Sequence, residues 1–338
     1  MRAIPIVMSA CAALALAMIP ASAATLDDVK ARGHLKCGID GGLPGFSAPD
    51  DKGQMRGMDA DFCYALTAAI FGDKTKVKFT NLTAKERFTA LTSGEIDVLS
   101  RNTTATMSRD ATLGIDFTYF NYIDGQGFLA KKSLNVASAK ELGGATVCVQ
   151  AGTTTELNLA DYFRSNGLQF KPVVYDTSVQ TREGFDGGSC DVLTSDKSQL
   201  AAIRTELKQP DGAIILPETI SKEPLGPAVR QGDAQWRDIV TWTLYGLITA
   251  DEVGVTAANA DEMKTKSTNP DIKRLLGSED KMGENLGLPS SWALDAVKAV
   301  GNYDEMYQRN ITPLGLKREG SVNALWSKGG LLYAPPIR

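Results

Sequence analysis

Gly94-Glu-Ile-Asp-Val-Leu-Ser-Arg-Asn-Thr-Thr-Ala-Thr-Met-Ser-Arg109 and Gly188-Ser-Cys-Asp-Val-Leu-Thr-Ser-Asp196 are the stretches whose comparison decides the fold. Both carry Gly-x-x-Asp-Val-Leu, and both lie between a helical stretch and a polar, hydroxyl-rich segment. Two six-residue matches are weak by themselves, so the order of elements around each has to carry the argument. Upstream of the first, Leu35, Cys37 and Ile39 alternate as a strand. Asp59 to Phe71 reads as a helix with Phe62, Ala65, Leu66, Ala69 and Ile70 on one face and Gly72 as its stop. Val77 and Phe79 mark a second strand, Ala84 to Ser93 a helix ended by Gly94, and Ile96 to Ser100 a third strand. The order repeats around the second stretch. A strand at Ala145 to Gln150 leads to a helix from Thr154 to Ser165 closed by Asn166-Gly167. Pro172 to Tyr175 is extended, a helical turn follows, and Cys190 to Thr194 is again a strand. Strand alternating with helix predicts an α/β architecture with largely parallel sheets, here in two lobes of similar plan.

Beyond Leu216 the pattern changes. Ser221-Lys-Glu-Pro-Leu-Gly-Pro227 reads as a crossover or hinge. Asp233 to Ala250 follows as an amphipathic helix burying Trp236, Ile239, Val240, Leu244, Leu247 and Ile248. From Asn259 the sequence is less regular, with Trp292 to Tyr303 expected as one helix.

The chain opens on Met1-Arg2, an apolar run from Ile4 to Ile19 and Pro20-Ala-Ser-Ala23, which predicts a secretory signal peptide over residues 1–23. A membrane anchor would need roughly 20 apolar residues, more than this run supplies. Cys11 sits inside the apolar run, which speaks against a lipoprotein. No later stretch is apolar enough to span a bilayer, and the remaining length suits two domains, each with its own core. A net charge of −4 spread along 338 residues offers neither a basic face for nucleic acid nor a polybasic tract for lipid.

Export governs the cysteines. Cys37, Cys63, Cys148 and Cys190 remain, and an oxidising compartment predicts two disulfides among three possible pairings. Cys37–Cys63 and Cys148–Cys190, one bridge in each part of the chain, is the favoured set. A zinc site is the rival, but the spacings are wide and no Cys-x-x-Cys occurs.

His34 is the only histidine, which removes Ser-His-Asp and Cys-His schemes together with His-rich metal sites. No Walker A and no Gly-x-Gly-x-x-Gly motif is present, and Gly38 to Gly45 reads as a flexible loop. No cofactor or metal is expected. Three features remain, at positions where open α/β sheets bind ligands. In Asn102-Thr-Thr104-Ala-Thr106-Met-Ser-Arg109, the arginine is either solvated or grips a carboxylate through two parallel hydrogen bonds. Thr153 with Glu156 fits a capping box, and the same helix N-terminus offers Thr153 and Thr154 N–H groups to an anion. Asp196 is either the N-cap of a helix from Lys197 to Leu207 or the acceptor for an ammonium group.

Taken together, these segments resemble the periplasmic amino-acid-binding proteins of ABC importers, the type II solute-binding proteins. The resemblance is carried by Gly57-Met-Asp59-Ala-Asp61, Arg87-Phe-Thr-Ala-Leu91-Thr-Ser-Gly94-Glu-Ile-Asp97, Thr104-x-Thr106-x-x-Arg109 and Gly152-Thr-Thr154. Cys37-Gly-Ile-Asp-Gly-Gly-Leu-Pro-Gly45-Phe46, Asp124-Gly-Gln-Gly-Phe128, Ile220-Ser-Lys-Glu-Pro-Leu-Gly226, Gly301-Asn-Tyr303 and Asn323-Ala-Leu-Trp326 narrow it to the general L-amino-acid-binding branch. The match spans nearly the whole chain after the leader.

The resemblance implies a two-lobe periplasmic-binding-protein type II fold with a ligand cleft between the lobes. Residues 24–126 would form the first part of lobe 1 and 127–222 lobe 2. Residues 223–338 would return to lobe 1 with a C-terminal extension. Arg109 would hold a ligand α-carboxylate, helped by Thr104 and by N–H groups near Thr153 and Thr154, and Asp196 would hold the α-ammonium. Asn102 aligns with a contact position, and Asp40 and Arg101 complete the ligand-binding set. Relatives often stack an aromatic residue on the ligand where this chain has Leu43, with Phe46 nearby as a candidate for the core. Arg101 either meets an acidic ligand side chain or points to solvent. The implied protein is a monomer in the periplasm that passes free L-amino acids to the permease subunits of an ABC importer without chemistry. The rivals are a same-fold cleft enzyme such as a dehydratase, with Glu86, Asp40 or Asp196 as acid or base, and a ligand-sensing partner of a membrane receptor.

Overall fold

The structure, a computed structural model, describes residues 24–338; the expected leader at 1–23 and Cys11 lie outside the described residues. Two five-stranded sheets share one plan. The first runs Val77–Asn81, Leu35–Ile39, Val98–Leu99, Ala228–Arg230, Ile115–Phe117, and the second Lys171–Tyr175, Thr146–Gln150, Val192–Asp196, Gln126–Lys131, Ala213–Ile215. In each, the first three strands are parallel, while the last two run antiparallel to their neighbours. The expected parallel character therefore holds on one side of each sheet only. The antiparallel fourth strand of the first sheet arrives late in the chain, after the second sheet is complete. Two short strands, Tyr122–Asp124 and Glu223–Leu225, make the connection as an antiparallel pair with Glu223 opposite Asp124.

The sequence echo has a physical counterpart in the two sheets. Asp97 Oδ2 accepts the Lys36 N–H at 2.8 Å, and Asp191 Oδ2 accepts the Thr146 hydroxyl at 2.6 Å. Each aspartate thus fastens its strand to the start of the neighbouring parallel strand. Gly94 and Gly188 turn the chain into these strands at φ +80° and +86°, a region open to glycine at little cost.

Cys37 pairs with Cys63, tying the first strand to the helix Met58–Phe71. Cys148 pairs with Cys190, tying the strand Thr146–Gln150 to the turn before Val192–Asp196. That last strand begins and ends two residues later than the hydrophobic run suggested, so Asp196 becomes its terminal residue, opposite Gln126.

The C-terminal part is far more regular than its sequence implied. Helices Ala260–Lys266, Pro270–Leu275, Met282–Asn285, Trp292–Val300 and Tyr303–Asn310 pack against Met58–Phe71 and Ala234–Glu252 around a core holding Trp236, Trp292 and Tyr303. The single helix expected from Trp292 to Tyr303 is two. Gly301 breaks it at φ 84°, and Asn302 restarts it with a capping box to Glu305. Short helices separated by breaks dilute the apolar periodicity that would mark them in the sequence. Arg318 pins the extension, pairing with Asp251 at 2.7 Å and Asp304 at 2.8 Å with its guanidinium over the Tyr303 ring. Among the described residues, no helix is long and apolar enough to cross a membrane.

Candidate functional site

Loops following strands of the two sheets meet in a cleft. The Ser178 hydroxyl, at the start of a second-sheet helix, donates to Asp40 Oδ1 at 2.8 Å. Asn102 Nδ2 donates to Gln199 Oε1 at 3.3 Å, and the Thr104 and Thr154 hydroxyls lie 3.4 Å apart. Lys85 reaches Asp176 at 2.7 Å at the exposed rim. The lobes are therefore closed on one another.

Arg109 sits in the short helix Met107–Thr112, whose N-cap Thr106 accepts the Arg109 N–H at 3.2 Å. Its guanidinium donates to the Thr104 carbonyl at 2.9 Å and lies over the Phe88 ring, 5.2 Å from the centroid. The group is thus oriented with N–H capacity left over. Burial lowers its pKa to about 10 against the pull of Glu223 and Asp196, so it stays cationic at neutral pH. Arg87 stacks on the Phe88 ring too and donates to Thr103 at 3.2 Å.

Asp196 is 5 % exposed and stands at the N-cap position of the helix Lys197–Thr205, but its side chain makes no capping hydrogen bond there. Burial pushes its carboxyl well up, the charges of Asp124 and Glu223 add to this, and Arg87 and Arg109 pull it back. Among the described residues, Asp196 Oδ1, Asn102 Oδ1 and Arg87 Nε have no hydrogen-bond partner. Buried polar atoms are seldom left so, and three around one cleft mark it as built for a polar ligand.

Asn102 is held in the left-handed region, φ 28°, by its N–H on Asp59 Oδ2 at 2.7 Å. Burial raises Asp59 to about 6, with hydrogen bonds from Asn121, Asn102 and Ser100 opposing it. Thr153 behaves as a helix cap: its hydroxyl accepts from Glu156 N at 3.1 Å and donates to Gln150 O at 2.7 Å. The capping box is only half formed, because Glu156 reaches back to Gly152 N at 2.9 Å. The Thr153 side chain is therefore occupied, leaving the backbone N–H groups of this helix start to face an anion.

Arg101 does not point to solvent. Its side chain is 2 % exposed, donating to Asp40 Oδ2 at 2.5 Å and to the Leu82 carbonyl at 2.8 Å. The pair lines a cavity of about 290 Å³ with Asn81, Glu86, Gln150 and Ser178. Glu86 itself is engaged by Thr83. Leu43 and Phe46 are both core, Phe46 meeting Tyr122 edge-on at 5.5 Å, so neither offers a stacking face.

Glu223, Asp124, Arg87 and Gln199 belong to the cleft without having been singled out. Glu223 is 1 % exposed and accepts from Thr104 at 2.6 Å, Thr154 at 2.9 Å, Asn158 at 2.9 Å and Ser221 at 2.5 Å. Asp124, opposite it, is raised to about 6 by burial and accepts from Gly125 N and Ser198 N. The one usable signal was a glutamate wedged into a Pro- and Gly-rich crossover, where a solvated side chain is the ordinary expectation.

Two matched sheets, a two-strand connection and a polar cleft with unpartnered acceptors define a protein that closes around a solute. Residues 35–257 match the model of the bacterial extracellular solute-binding proteins, family 3, and the chain belongs to that family. It is 59 % identical to the general L-amino acid-binding periplasmic protein AapJ of Rhizobium johnstonii, over 97 % of this chain and 96 % of that one. It is 53 % identical to the glutamate/glutamine/aspartate/asparagine-binding protein BztA of Rhodobacter capsulatus, over 94 % of each. A solved ABC transporter periplasmic binding protein from Brucella ovis, with glutathione bound, superposes at a TM-score of 0.90 with 54 % identity. That alignment covers 94 % of this chain and 100 % of the other.

Proposed function

We propose that this protein captures free L-amino acids, polar and acidic ones included, and delivers them to the membrane permease subunits of an ABC importer. It works as a monomer in the periplasm, exported by a leader at residues 1–23. Residues 24–126 with 223–338 form one lobe and 127–222 the other. The observation that carries the reading is the buried Asp196 carboxylate, one oxygen unpartnered, sharing a cleft with the oriented Arg109 guanidinium. Opposite charges held apart in one cleft fit a zwitterion. Arg109 and the N–H groups of Thr153 and Thr154 take the α-carboxylate, and Asp196 takes the α-ammonium. The Thr104 hydroxyl and Asn102 add contacts from the first sheet, and the Asp40–Arg101 pair faces the ligand side chain. The names of the relatives from Rhizobium and Rhodobacter support this ligand class.

Closure follows from where the groups sit. A ligand bridging both sheets makes all its contacts only when the cleft is shut, so binding shifts the population toward the closed form. The permease reads that shape, and no bond in the ligand is altered. A thermal-shift screen of ligand-stripped protein against the twenty amino acids, sugars and dicarboxylates tests this, since a ligand that binds only the folded state raises Tm. Stabilisation by several L-amino acids is expected. Stabilisation by sugars or dicarboxylates alone would overturn the reading.

A further inference from the structure

Glu223 accepts four hydrogen bonds from three segments. Oε2 takes the Thr104 hydroxyl of the first sheet and the Thr154 hydroxyl of the second, while Oε1 takes Asn158 and Ser221. An ionised carboxylate can only accept, and a threonine hydroxyl has one proton. Both threonines therefore commit that proton to Glu223, and the two oxygens, 3.4 Å apart, offer only lone pairs to anything else. The other unpartnered oxygens of the cleft, Asp196 Oδ1 and Asn102 Oδ1, are acceptors as well. These four oxygens form a group of acceptors set beside the cationic Arg87 and Arg109, and such a group suits a partner made of donors, such as an ammonium with its three N–H bonds.

We propose that Glu223 is a positioning residue that fixes the Thr104 and Thr154 hydroxyls as acceptors, so that the cleft demands an α-ammonium and rejects hydroxy and deaminated acids. The assignment rests on the amino-acid reading of the cleft. It also sharpens the part of Thr104: its hydroxyl faces the ammonium end of the ligand, and the α-carboxylate is left to Arg109 and the helix N-terminus. A site built for polar partners discriminates against an analogue that leaves them unpaired.

Glu223→Gln tests this. The amide keeps the size and one acceptor, but its NH2 donates to a threonine and turns that hydroxyl's proton outward. Calorimetric Kd values for L-glutamine, for its 2-hydroxy analogue and for its deaminated analogue are compared on wild type and variant. Wild type is expected to prefer glutamine by about 100-fold. The variant should lose about tenfold on glutamine and less than about threefold on either analogue, so that discrimination shrinks. If all three ligands weaken by the same factor, or none weakens, Glu223 only braces the lobes and the proposal is overturned. Wild-type protein that binds no amino acid would instead remove the amino-acid reading, and this assignment with it. Should Glu223→Gln not fold, Thr104→Val removes one acceptor at constant shape and must narrow discrimination in the same way.

Discussion

The Ser178 hydroxyl donates to Asp40 at 2.8 Å, joining a loop of the first sheet to a helix of the second, while Asp40 is itself held by Arg101 at 2.5 Å. This contact exists only when the cleft is shut, so it weighs on closure and not on the folding of either lobe. A hydrogen bond to a charged group contributes about 1.5–3 kcal/mol. Ser178→Ala is accordingly expected to weaken amino-acid affinity about tenfold by calorimetry, with circular dichroism unchanged. Unchanged affinity would show that the contact plays no part in closure.

Removing either charge of the zwitterion clamp has a larger effect. Asp196→Asn keeps the shape but presents an uncharged group to an ammonium, and Arg109→Met keeps the bulk without the donors. Each variant should lose at least about 100-fold in affinity, in line with the cost of stranding a buried charged partner. Both should unfold cooperatively near the wild-type temperature. A variant that binds like wild type would place the ligand elsewhere.

Acidity should move stability and binding in opposite directions. Burial raises Asp59 and Asp124 to about 6, against an ordinary value of 3.8. A carboxyl raised on folding holds its proton more tightly in the native state. Its contribution is therefore gained as pH falls through about 6 and lost as pH rises through it. Ligand-free protein should melt about 2–5 °C higher at pH 5 than at pH 7. Asp196 is raised too, and a protonated Asp196 no longer attracts an ammonium. The ligand-induced rise in Tm should therefore shrink as pH falls. Parallel movement of the two quantities would contradict this account.

The plan of the sheets was legible because the Gly-x-x-Asp-Val-Leu echo does the same job twice, with Asp97 and Asp191 each tying down a neighbouring strand. The cleft was legible in part, since Arg109 and Asp196 stand at strand-to-helix junctions where charge is seldom idle. Glu223 and the Arg101–Asp40 pair were not, because their meaning depends on partners 61 to 119 residues away in sequence. The C-terminal helices escaped for a different reason. They are short, and their buried faces are set by packing on Met58–Phe71 and Ala234–Glu252. Periodicity over four to nine residues carries little signal.

The bridges Cys37–Cys63 and Cys148–Cys190 close segments of 26 and 42 residues, one in each sheet system. Loop-closure entropy of that size stabilises by about 2–4 kcal/mol per bridge. Replacing Cys148 and Cys190 by serine should lower the Tm of ligand-free protein by several degrees while leaving amino-acid binding at 20 °C within about threefold. Loss of binding with an unchanged Tm would assign that bridge to the site and not to the scaffold.

The most direct test of capture in this cleft is calorimetric titration of ligand-stripped wild-type protein with L-glutamine, its decarboxylated amine and its deaminated acid. The account predicts one binding event per chain for L-glutamine and at least about 100-fold weaker binding for both truncated ligands, because each leaves Arg109 or Asp196 without its partner. Equal affinity for glutamine and for either truncated ligand would contradict it.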